Sequence, residues 1–191
     1  LFKNRPLVVM YGATMLFATG YYTCYSYIEP FLQQVASFDA GMITVSLTVF
    51  GVAGILGSML FSRLYDGRSQ LFLALSIAGV VAALALLRVV AGSVPAVLAV
   101  FMLWGCCGTA FNVAFQAEII KGVEEDESSV AMSIFSGLFN FGIGAGSALG
   151  GVVVTSVSIE AIGLVGAVVV TACWVVTVAV LFRLMRARAV V

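Results

Sequence analysis

The sequence predicts an all-α membrane protein of six transmembrane helices, and three observations carry that prediction. Apolar residues make up 62% of the chain and charged residues 9%, where a soluble domain carries about 25% charged residues; mean hydropathy is +1.16. The apolar residues gather into six runs, each close to the ~20 residues a bilayer-spanning helix needs. The charges lie between the runs and fall unevenly on the two sides. A chain of 191 residues holds six such spans with short loops and has no room for a soluble domain.

The first run covers about residues 6–28, and Pro30 closes or kinks it. Residues 29–41 read as a connector. The second run, 42–65, ends at the turn Asp66-Gly67-Arg68-Ser69, and the third, 71–90, at the breaker Gly92-Ser93. Pro95 suits the first turn of the fourth, 95–120. An acidic loop, Lys121–Ser129, precedes the fifth, 130–154, where acids favour the positive end of the helix dipole and Ser128 or Ser129 can cap. The sixth covers 161–182, and Arg183, Arg186 and Arg188 follow.

Six spans put both termini on one side. That side holds Lys3, Arg5, Arg63, Arg68, Lys121, Arg183, Arg186 and Arg188, while the other holds only Arg88. The asymmetry predicts cytoplasmic termini. The first run is too long for a signal peptide and lacks a small-residue cleavage site. Because the chain starts at Leu1, it reads as a piece of a longer protein.

One stretch departs from hydrocarbon composition: Tyr21–Phe31 (YYTCYSYIEPF). At 100° per residue, Tyr22, Tyr25, Ser26 and Glu29 share a face with Met15, Ala18 and Thr19. Such groups are accepted in a membrane helix where they face protein or a water-filled cavity. Either they line a transport cavity, or the tyrosines form an interfacial belt with Glu29 among the headgroups.

The runs are unequally polar. On the second, Thr44, Thr48, Gly51, Ser58 and Ser62 share a face that reads as a packing stripe. On the fourth, Thr109, Asn112 and Gln116 align, with Gly105 and Gly108 beside them. On the fifth, Ser133, Ser136, Asn140, Gly144 and Ser147 form a polar stripe, opposite the small-xxx-small set Gly142, Gly146 and Gly150 that suits close helix packing. Asn112, Gln116 and Asn140 either glue helices or read sugar-like hydroxyls. The third and sixth runs are nearly free of polar groups and read as lipid-side supports. The order wet, wet, dry occurs twice, which suggests a repeat of three helices with the third outermost.

With no histidine, a Ser–His hydrolase site, an H-E-x-x-H zinc site and His-ligated haem are excluded. The four cysteines, Cys24, Cys106, Cys107 and Cys173, lie inside apolar runs without metal-ligand spacing and read as packing residues. Glu118, close to Lys121 and the acidic loop, reads as a surface residue. No enzyme chemistry is expected.

Two nested three-helix units resemble one half of the major facilitator superfamily. Y-S-Y-I-E-P-F (Tyr25–Phe31), G-x-A-G-I-x-G-S (Gly51–Ser58) and F-S-G-x-F-N-x-G-I-G-A-G (Phe135–Gly146) are similar to the sugar-efflux branch of its drug:proton antiporters, in the C-terminal half of the twelve-helix fold. The resemblance implies alternating access, export of sugars or small amphipathic drugs, and a bacterial inner membrane. It implies a proton gradient as energy source, with no cofactor or metal. The implied partners are an N-terminal six-helix half, the bilayer and the solute, not nucleic acid. It carries the substrate-cavity role onto Tyr22, Tyr25, Ser26, Asn112, Gln116, Ser136 and Asn140. It carries a cytoplasmic gating role onto Asp66 and Arg68, although Gly67 and Gln70 stand where the family signature has basic residues. Proton coupling needs a carboxylate whose water access changes, and Glu29 is the candidate. The alternative is a stand-alone six-helix protein acting as a homodimeric channel or structural partner.

Overall fold

The structure, a computed structural model, describes residues 4–189. Lys3 and the side chain of Arg188, both counted in the charge asymmetry, lie outside that description. Six spans long and apolar enough to cross a bilayer make a multi-pass membrane protein, with no strand among the described residues. Helices α1 (Arg5–Tyr25) and α2 (Ile28–Gln34) form the first span, followed by α3 (Ala40–Leu64), α4 (Ser69–Val90), α5 (Val94–Lys121) and α6 (Ser128–Ser156). The last span is α7 (Ile162–Val176), which passes through a π-helical turn at Thr177–Leu181 into α8 (Phe182–Ala189).

The first span is longer than its apolar run. Pro30 has no N–H to give the carbonyl of Ser26, and its ring crowds that carbonyl, so the chain breaks at Ser26–Tyr27 rather than ending. The N–H of Tyr27 turns back to Cys24 O at 3.1 Å, and Phe31 N–H restarts the ladder on Tyr27 O at 3.0 Å. Glu29 therefore sits on a helix, and the connector shrinks to about residues 35–39. Asp39 ends it by capping α3, accepting from Met42 N–H at 2.7 Å. Neither Ser128 nor Ser129 caps α6: a 3-10 turn, Glu125–Glu127, leads into it, and no side chain accepts at its start. Between α3 and α4 the turn Tyr65–Arg68 closes through Arg68 N–H to Tyr65 O at 3.2 Å, with Gly67 at φ +75°, a conformation that favours glycine.

The helices pack as two triplets, α1–α4 and α5–α8, that exchange partners. α1 packs along α6 and α7, α5 packs along α3 and α4, and α4 meets α7. An odd number of spans inverts the second triplet relative to the first, giving an inverted repeat of three-helix units. The dry helices α4 and α7 stand behind α5 and α1, joined by Trp174 Nε1 donating to Ala74 O at 3.0 Å.

Burying hydrocarbon gives helices in lipid no net drive to associate, so close backbone approach and hydrogen bonds hold them. Gly142, Gly146 and Gly150 lie directly on the α1 backbone at Met15, Thr19 and Thr23. A β-carbon on Gly146 would collide with the Thr19 carbonyl. On the other seam, Gly57 meets the backbone at Cys106 and Gly105 meets Phe50. The stripe Thr44, Thr48, Gly51, Ser58 and Ser62 is exposed and does not pack; Ile43, Ser46, Ala53 and Gly57 do. Sequence spacing alone could not tell these two faces of α3 apart, because both carry small residues.

Both termini share one end. There Asn4 Nδ2 donates to Gly122 O at 2.9 Å, and Arg186 Nε donates to Gln70 Oε1 at 3.2 Å. The opposite end is tied by Arg88 and Glu160 at 2.8 Å.

Candidate solute site

Near the middle of α1, a cavity of about 230 Å³ opens between α1, α5 and α6. Phe17, Tyr21 and Tyr22 of α1, Thr109 and Asn112 of α5, and Phe139 of α6 line it, with Gly108 as its floor. Glycine is required there: a β-carbon on Gly108 would come within 2.9 Å of the Tyr21 ring. No residue of α4 or α7 lines it.

The rings form a continuous aromatic wall. Tyr21 stacks on Phe17 at 5.6 Å between centroids, and Tyr22 meets Phe139 edge-on at 6.2 Å. Tyr25 lies against Tyr21, Tyr22, Phe50 and Trp104 at 5.4–6.0 Å. The polar tips of this wall are open. Among the described residues, the hydroxyls of Tyr21, Tyr22, Tyr25 and Thr109 and the Nδ2 of Asn112 make no hydrogen bond. Asn112 Oδ1 is engaged by Gln116 Nε2, which fixes the amide and leaves its N–H₂ group outward. The indole N–H of fully buried Trp104 also lacks a partner.

The residues singled out from the sequence thus separate. Tyr22 and Asn112 line the cavity, with Tyr25 and Gln116 adjoining. Ser26, exposed just past the end of α1, has its hydroxyl 2.7 Å from that of Ser147 on α6 rather than on the cavity. Ser136 and Asn140 stand on the exposed face of α6, and Asn140 Nδ2 donates to Ser136 O at 2.8 Å. Glu29 is exposed on α2. Asp66 and Arg68 are exposed, and their side chains make no hydrogen bond or ion pair among the described residues.

The structure corrects the placement of Glu118. It is buried, only 8% exposed, and accepts a short hydrogen bond from the Tyr65 hydroxyl. Lys121 Nζ lies 4.4 Å from the centre of the Tyr65 ring. Sequence reading missed this because Tyr65 and Glu118 are 53 positions apart. It also missed Tyr21, whose fit over Gly108 depends on the helix crossing, and Tyr27, which donates to Ser147 O at 3.1 Å over Gly150. The pairs Gly105/Gly108 and Gly150/Gly151 were the available signals.

An aromatic-walled hollow with open polar groups thus lies between α1, α5 and α6. The family model of the Major Facilitator Superfamily matches residues 10–190. The chain belongs to the Major Facilitator Superfamily. Members of that superfamily are membrane transporters. The chain is 37% identical over 167 residues to a Helicobacter pylori (strain J99) protein named "Probable sugar efflux transporter". The aligned region covers 87% of this chain and 42% of that relative. The chain therefore spans less than half the length of that relative.

Proposed function

We propose that this chain forms one half of a secondary transporter that exports sugars or small amphipathic drugs by alternating access. The observation that carries the reading is the cavity with unengaged Tyr21, Tyr22, Tyr25, Thr109 and Asn112 groups. Hydroxyls and amide N–H groups left open at membrane depth are costly unless water or a solute completes them. Sugars offer matching hydroxyls for these groups and C–H faces for aromatic rings. The name of the Helicobacter relative supports efflux as the direction and sugar as the solute class.

The other half is supplied by a second six-helix bundle, N-terminal to this one. The poor burial of α3 and α6, which flank the cavity, supports them as the surfaces that bundle covers. Rocking of the two bundles about the cavity then exposes it to one side at a time. The basic residues at the terminal end support an inner-membrane orientation with cytoplasmic termini. Asp66, exposed and without a described partner in the terminal-end turn, is the residue we assign to meet the other bundle when that end closes. Ser136 and Asn140 lie on the face of α6 that the other bundle is proposed to cover, outside the solute cavity.

Export against a gradient needs an energy source, and we assign proton coupling to a carboxylate. The burial of Glu118 against Tyr65 supports that residue, a carboxyl group held inside the bundle rather than on its surface. Glu29, exposed at the far end, is the second candidate. The test is efflux by the complete protein against sugars and cationic dyes, with and without an uncoupler. Gradient-dependent export of sugars is the expected result. Export of no solute in the panel, or export indifferent to the uncoupler, would remove the transport or the coupling claim respectively.

A further inference from the structure

At the terminal end, a second concavity of about 570 Å³ lies away from the solute cavity and shares no residue with it. Three cations from three elements line it: Arg68 of the Tyr65–Arg68 turn, Lys121 at the end of α5 and Arg186 of α8. No acidic residue lines it. Among the described residues, none of the three has a carboxylate within ion-pair distance; the ion pair found there, Arg88–Glu160, is at the opposite end. Arg186 instead donates to neutral Gln70, and Lys121 rests on the Tyr65 ring. Its Nζ is 3.5 Å from the hydroxyl that donates to Glu118, so its contact with the carboxylate runs through Tyr65. Convergent like charges repel, and an anion held between them would relieve that repulsion. The backbone also contributes: Ser69, Gln70 and Leu71 line the concavity and open the 22-residue α4, whose first turn no side chain caps.

The position of the concavity selects the kind of anion. At about 1.5 Å per residue, α4 is just long enough to cross a hydrocarbon core of about 30 Å, so its first residues lie at headgroup level. From the concavity, Leu71 and Leu75, 54% and 61% exposed, run down the lipid side of α4 one turn apart. A cationic cup above an apolar track fits a molecule with an anionic phosphate head and acyl chains. We propose that Arg68, Lys121 and Arg186 form a binding site for the phosphate headgroup of an anionic phospholipid. Basic pockets between membrane helices bind such headgroups, each Lys or Arg contributing about fivefold in affinity.

The test titrates the purified complete protein, in neutral detergent, with short-chain phosphatidylglycerol, short-chain phosphatidylcholine or inorganic phosphate. Thermal shift and lipid adducts in native mass spectrometry are the readouts. Phosphatidylglycerol is expected to stabilise the protein and remain bound, and phosphatidylcholine to do neither. The double variant Arg68→Gln/Arg186→Gln should bind phosphatidylglycerol at least about tenfold more weakly. Arg186→Lys should retain binding, and Arg88→Gln, at the far end, should leave it unchanged. Equal binding by wild type and the double variant would overturn the site. Equal stabilisation by inorganic phosphate would overturn the lipid assignment. Should the double variant fail to fold, phosphatidylglycerol binding by Arg186→Gln alone decides: undiminished binding sinks the proposal.

Discussion

On α3 and α6, the hydroxyls of Thr44, Thr48 and Ser133 and the amide of Asn140 each donate to a carbonyl one turn back on the same helix, at 2.8 Å. On α1 and α5, the hydroxyls of Tyr21, Tyr22, Tyr25 and Thr109 and the amide of Asn112 donate to no described residue. The two regions have comparable numbers of polar side chains and opposite needs. A hydroxyl closed on its own backbone tolerates lipid or a neighbouring helix. An aromatic hydroxyl cannot reach its own backbone, because the ring holds it too far out, and so it stays available. Counting polar residues therefore overstates how wet α3 and α6 are. Among the described residues the unengaged aromatic and amide donors gather on α1 and α5, while Ser58 and Ser136 keep open hydroxyls on the exposed faces of α3 and α6.

The seam that brings these regions together gives the largest expected effect. Gly146→Leu forces α6 off the Thr19 carbonyl, and overpacking of this kind costs about 3 kcal/mol or more. The expected outcome is loss of most folded protein, read by size-exclusion profile and thermal unfolding. A folded, stable variant would mean that the α1–α6 contact does not fix the cavity.

Next comes the open wall itself. Asn112→Leu or Tyr22→Phe removes a solute-facing donor worth about 1–3 kcal/mol, which corresponds to about a fivefold or greater fall in export. Thermal stability should be unchanged. Glu118→Gln keeps the shape and hydrogen-bonding capacity of the side chain but cannot release a proton. It should leave solute binding intact while reducing gradient-driven export about tenfold, with the remainder insensitive to uncoupler. If Glu29→Gln rather than Glu118→Gln produces that signature, coupling belongs to the far end of the first span.

The smallest effects belong to the self-bonded region. Thr48→Val and Asn140→Leu should change export less than about twofold, since exposed substitutions away from special features stay within about 0.5 kcal/mol. A fall with Asn140→Leu as large as with Asn112→Leu would erase the comparison. It would extend the solute path over the exposed face of α6 that carries Ser136.

Much of this protein was legible locally. Hydropathy summed over ~20 residues located the six spans, because the bilayer imposes a length on each helix independently of the others. The repeated wet, wet, dry order announced the two triplets. Hydropathy failed at residues 29–34, where Glu29, Gln33 and Gln34 hide a helix that Pro30 bends but does not end. The fold class, the spans and the break at Ser26 were thus determined by the sequence itself, since backbone satisfaction in lipid and the missing proline N–H act within one segment. Only the tertiary structure decided that Tyr21 lies over Gly108, that Tyr65 buries Glu118, and which face of α3 packs. Those outcomes depend on the rotation and crossing of helices up to 87 positions apart, as for Tyr21 and Gly108. No local pattern encodes them, because several faces of each helix carry residues small enough to pack.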